Sequence, residues 1–172
     1  MKMKHGSLVL LLLAASAVAQ VKNPVATALK ETLPGRQKNT VAAVEEMPAE
    51  KFNFKPSADQ MSFGHLVAHM IEANYFFCSK VPAVEAPKVE EAKETDSKDK
   101  LVAGLKASFD FCGEALAKMD DSKLGETTEA FGGQQMSRAR LALMLAGAWA
   151  DHYAEAAMYL RLNGLLPPTA KK

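Results

Sequence analysis

The chain has 172 residues, with 21 lysines and arginines against 20 aspartates and glutamates, and 48% of it is hydrophobic. A net charge of +1 and the lack of any clustered run of lysine and arginine exclude the electrostatic footprint of a nucleic-acid-binding protein. The length suits one globular domain with a core of its own.

Residues 1–19 have the pattern of a secretory signal peptide. Lys2 and Lys4 make a basic start, Leu8 to Ala15 form an apolar run too short to span a bilayer, and Ala17-Val18-Ala19 is an A-x-A cleavage site. An uncleaved membrane anchor is the alternative. No other stretch approaches the ~18 apolar residues that a spanning helix needs. Residues 20–172 are therefore expected as an exported domain, periplasmic or secreted, with no transmembrane segment after cleavage. Cleavage removes His5 and leaves His65, His69 and His152; losing Lys2 and Lys4 turns the net charge from +1 to −1.

Glycine and proline divide the remainder into helical blocks, and no run alternates at period two. A short helix is expected from Pro24 to Thr32. A longer one follows from about Gly35 to Glu46, with Pro34 in its first turn, where a missing N–H costs nothing. The stretch MPAEKFNFKPSADQ reads as a loop with a capping box, Ser57 with Gln60. A second main helix covers about Phe63 to Ser79, with Phe63, Leu66, Val67, Met70, Asn74 and Phe77 on one face.

The charged, proline-containing segment SKVPAVEAPKVEEAKETDSKDK reads as a solvated linker. A third helix spans about Lys98 to Lys118, its inward stripe running from Leu101 through Ser108 and Cys112 to Leu116. DDSKLGETTEAFGGQQ is a second loop, with a turn at Gly132-Gly133. The last helix runs from about Ser137 to Leu162. Asn163-Gly164 ends it and Pro167-Pro168 prevents its resumption. Four long helices, long connections and no strands predict an all-α four-helix bundle.

On a helical wheel, His152 and Glu155 fall among Leu141, Leu145, Ala148, Ala156 and Tyr159. A buried imidazole and a buried carboxylate both need partners, so His152 is either a hydrogen-bonded core residue or a ligand. His65 and His69 are four apart and leave the same side of their helix. Two such histidines clamp a divalent ion or merely occupy an exposed flank, and Glu72 offers an oxygen near the same face. Bundle cores assemble metal sites from facing helices. Imidazole with carboxylate and water suits zinc, nickel, iron or manganese without choosing among them. Cys78 and Cys112 pair as one disulfide, as export favours, or stay as two buried thiols.

Two stretches, MPAEKFNFKPSADQMSFGHLVAHMIEANYFFCS and DHYAEAAMYLRLNGLLPP, resemble the DinB-like superfamily, also called DinB/YfiT-like, from about Pro34 to Pro168. The resemblance implies an up-down four-helix bundle with an unusual long connection, often dimeric. It also implies a divalent ion held by three histidines and, in some members, metal-dependent thiol S-transfer.

The family's histidine on the second helix corresponds to His69, and its closing histidine on the last helix to His152. The third ligand normally stands four residues before that, where this chain has Ala148, and the usual Gly-Gln is replaced by Ala154-Glu155. His65 is the preferred replacement because it restores three imidazoles; Glu155 and Glu72 are the others. In this comparison Asn74 is a satisfied core polar group or a pocket-lining residue, and Arg161 forms a surface or interhelix ion pair. Trp149 and Tyr153 pack between helices.

Two functional expectations follow. One is a metal-binding protein with transferase or hydrolase activity, in which Glu155 accepts a proton. The other is a non-catalytic bundle with a degenerate metal site that dimerises or binds a small ligand, as Ala148 favours.

Overall fold

The computed structural model describes residues 21–171, so the signal-peptide segment lies outside the described residues. Four helices carry the fold: α1 (Pro24–Glu46), α2 (Phe63–Lys80), α3 (Lys98–Ala117) and α4 (Arg138–Leu162). The three expected boundaries after α1 hold to within a residue or two.

Helix α1 differs from the expectation of two helices, because it runs unbroken through Pro34. An interior proline costs about 3 kcal/mol. Here Leu29 and Leu33 are buried before it, and Thr40, Val41 and Val44 after it, and this continuous apolar stripe keeps both halves on one axis. Pro34 itself faces solvent. The start of α1 is capped from far along the chain, since Asp121 accepts hydrogen bonds from the Val25 and Ala26 amides at 2.6 and 3.0 Å.

The expected capping box is also displaced. Ser57 and Gln60 close only a turn, and the cap of α2 is Ser62, whose Oγ accepts from the His65 amide at 3.0 Å. The loop before α4 contains a short hairpin that the sequence reading omitted: β1 (Thr127–Glu129) pairs antiparallel with β2 (Gln135–Ser137), Thr128 opposite Met136. Its turn uses Gly132 and Gly133 at φ 61° and 75°, a left-handed conformation that suits glycine.

Cross-helix contacts set the topology. Tyr159 reaches Met61 at one end of the α2–α4 pair and Arg138 reaches Lys80 at the other, so these helices are antiparallel. Asn74 meets Ser108, and Cys78 meets Cys112, so α2 and α3 are parallel. Gln37 meets Asp110 and Glu45 meets Lys106, making α1 antiparallel to α3. The order is up-down-down-up, and each helix packs on two neighbours, with α1 diagonal to α2 and α3 diagonal to α4.

Parallel neighbours cannot be joined by a tight turn, so residues 81–97 must return along the length of α2, about 27 Å at 1.5 Å per residue. This is the long connection. It is a strap on the bundle rather than a free linker: Val81 and Pro82 are buried, and Glu94 Oε2 accepts from Ser62 Oγ at 2.9 Å. A Cβ on Gly64 would stand 2.5 Å from the Glu94 carbonyl, so glycine is what lets the strap lie on α2.

The core holds one polar relay. Trp149 Nε1 donates to Asn74 Oδ1 at 2.9 Å, Asn74 Nδ2 to Ser108 Oγ at 3.0 Å, and Ser108 to the Leu105 carbonyl at 2.8 Å. Asn74, 3% exposed, is thus a satisfied core group that ties α4, α2 and α3 together. Beside it the Cys78–Cys112 disulfide joins α2 to α3 with Cα atoms 5.1 Å apart.

Candidate functional site

Antiparallel packing of α2 on α4 brings His69 and His152 face to face. Their ring centroids are 5.1 Å apart and the planes stand at 78°. His152 is half-buried and His69 is exposed at the mouth of a cleft between the two helices. Burial, and after it the charge of His69, pushes the His152 pKa from 6.5 to about 4, so this imidazole is neutral at physiological pH. A neutral ring is the ligating form.

The other sequence-derived candidates are distributed around this pair. His65 is not with it: its Nδ1 faces the strap, 3.5 Å from Glu94 Oε2. Glu155, expected on the apolar stripe of α4, is exposed instead. Partial burial nonetheless raises its pKa; His69 offsets this and Asp151 reinforces it.

Glu72 lines the cleft. Ala148 lines it too, where the resemblance placed a third imidazole. Arg161 makes no ion pair among the described residues, and its Nη1 donates back to the Ala157 carbonyl. Trp149 is buried between helices and Tyr153 packs, partly buried, against the core as expected; the Tyr153 hydroxyl also holds Thr169 of the C-terminal tail at 2.7 Å.

The cleft measures about 760 Å³. Its polar end is His69, Glu72, Asp151 and His152; its apolar end is Phe76, Phe77, Phe131 and Met144. Phe131 comes from the hairpin turn and stacks on Phe76 with centroids 4.5 Å apart. A second cleft of about 650 Å³ lies on the other side of His69, between α2 and the strap. Sequence reasoning missed Phe131, Asp151 and Glu94. The only signals were a large apolar residue beside a Gly-Gly turn and an aspartate adjoining a candidate ligand.

Two imidazoles on one tetrahedral ion, with metal–nitrogen bonds of about 2.0–2.1 Å, have their centroids roughly 5 Å apart. The His69–His152 spacing fits two such positions. Among the described residues, however, no group of three or more histidine, cysteine, aspartate or glutamate side chains stands close enough to hold an ion. The three-histidine centre therefore does not assemble among the described residues; of its expected positions, His69 and His152 are the two that stand together.

These features define an up-down-down-up helical bundle with a site between its second and fourth helices. The family model for the DinB superfamily matches residues 33–156. The chain belongs to the DinB superfamily. Two solved structures share the fold. A DinB-like protein from Bacillus subtilis superposes with a TM-score of 0.65 at 16% identity, covering 84% of this chain and 99% of that one. A DinB-like protein from Bacillus cereus ATCC 10987 gives 0.67 at 16% identity, covering 83% and 95%. No curated protein matches the chain.

Proposed function

We propose that this is an exported DinB-superfamily protein that holds a divalent ion through His69 and His152 and leaves the remaining positions open to water and a small molecule in the adjoining cleft. The observation that carries this reading is the imidazole pair at 5.1 Å, one ring kept neutral by burial.

A bound ion with open positions supplies acidification of a water or thiol, the chemistry of metal-dependent transferases and hydrolases. Within that class Glu155, its pKa raised, is the proton acceptor. Zinc, nickel, iron and manganese all accept such donors. Export is supported by the leader pattern together with the Cys78–Cys112 bridge, since disulfides persist in oxidising compartments. Homodimerisation is supported by Leu143, Met158 and Leu162, exposed at 75%, 45% and 56% along one outer face of α4.

A second reading has its own observation. Ala148 and the lack of a third assembled ligand favour a metal-free bundle that binds a small molecule in the same cleft. Equilibrium dialysis of the mature protein against zinc, nickel, iron(II) and manganese separates the two. The metal reading expects about one ion per chain, lost in His69→Ala and His152→Ala; no uptake of any of the four ions rejects it and leaves the metal-free reading.

A further inference from the structure

The cleft beside His69 and His152 has a composition that selects a charge. Its walls carry two carboxylates, Glu72 and Asp151, and among the described lining residues there is no lysine or arginine. Opposite them three phenyl rings converge. Phe131 stacks on Phe76 at 4.5 Å, with the planes 27° apart, and meets Phe77 edge-on at 5.7 Å. Phe131 is 47% exposed and lines the cleft. Ala148 and Gly147 keep the α4 side shallow and leave room for a ligand between carboxylates and rings.

We propose that this cleft binds a small organic cation: a primary or quaternary amine carrying an aromatic or branched apolar group. The apolar part would lie against Phe76, Phe131 and Met144 and the ammonium between Glu72 and Asp151. Cations are drawn both to carboxylates and to the faces of aromatic rings, and no lysine or arginine of the lining competes for those groups. An anionic ligand meets the opposite field, and a neutral one gains only apolar contact. The inference rests on reading the cleft as a small-molecule site, and it does not require a bound ion.

The test uses mature, chelator-treated protein and three probes of one shape: phenethylammonium, 2-phenylethanol and phenylacetate, titrated by calorimetry and by ligand-observed NMR at low and high salt. The ammonium is expected to bind about tenfold more tightly than the alcohol, with phenylacetate weakest and the ammonium's advantage shrinking as salt rises. Glu72→Gln combined with Asp151→Asn should bring the ammonium and the alcohol to the same affinity, while Phe131→Ala weakens both. All three changes are on exposed side chains, and thermal unfolding checks that each variant is folded. Equal affinity for all three probes in the wild type overturns the selection for cations and leaves the small-molecule site standing. No binding of any probe overturns both.

Discussion

His152 is held neutral in the folded chain because burial and neighbouring His69 lower its pKa from 6.5 to about 4. The unfolded chain, with an ordinary histidine, takes up that proton first. Stability from this residue is therefore complete above pH 6.5, declines as pH falls through the interval and levels off below about pH 4. After discounting for solvent at the cleft mouth, the loss is on the order of 2 kcal/mol. Glu155 opposes it at the acid end, because a carboxyl whose pKa is raised favours the folded state when protonated. Urea unfolding of the metal-free protein between pH 7 and 4 should show the decline, and His152→Gln should flatten it. An identical decline in the variant would mean that another group titrates.

Ala148 makes the complementary case. It lines the cleft one turn before His152, so Ala148→His supplies the absent imidazole on the correct face. Zinc affinity should rise about tenfold or more, as expected for completing a three-ligand site. An unchanged zinc titration would show that the His69–His152 pair does not point at a common ion. At the centre of the core, Asn74→Leu would strand Trp149 Nε1, while Ser108 keeps its bond to the Leu105 carbonyl, at a cost of about 1–3 kcal/mol in chemical denaturation. That role was legible in the sequence, because an asparagine in the middle of an apolar stripe must find partners.

Among the elements, the strap shows where sequence reasoning stops. Charge and proline content gave the connection after α2 an exposed reading, which most of its residues bear out, yet Glu94 is also pinned to Ser62 and its carbonyl presses on Gly64. Backbone lying on a glycine leaves no trace in helical periodicity. Gly64→Ala should push the strap off α2 and cost about 1–3 kcal/mol, with faster hydrogen exchange confined to residues around Glu94; unchanged exchange there would contradict the contact. What His65 faces was hidden for the same reason, since its Nδ1 lies beside Glu94 of a segment that had been set aside as solvated. Helix α1 was divided at Pro34 by a local rule that its buried stripe overrides. The hairpin escaped because three-residue strands are too short to display a period.

For the whole molecule, three apolar stripes and two long connections pointed to the bundle, but they could not order the helices. That order depends on which pairs are parallel, and parallel α2 and α3 are locked by the Cys78–Cys112 bridge. With a sequence separation of 34, loop closure puts the bridge's contribution near 4 kcal/mol at most. Intact mass with thiol alkylation after denaturation should find both cysteines unlabelled, and reduction should lower the unfolding midpoint. Full labelling would mean two free thiols. The site was legible in part: His69 and His152 stand together and Glu72 was on the expected face, whereas Phe131 reaches the aromatic wall from a hairpin turn that no wheel projection includes.

The proposed ion sits between α2 and α4 on two imidazoles, those of His69 and His152. Nitrogen-15 NMR of the three histidine rings during a zinc titration of the mature protein tests it most directly. One equivalent of zinc should shift the ring nitrogens of His69 and His152 together and leave those of His65, beside Glu94, unmoved. Three unperturbed rings, or a response from His65 and His69 without His152, would contradict the account.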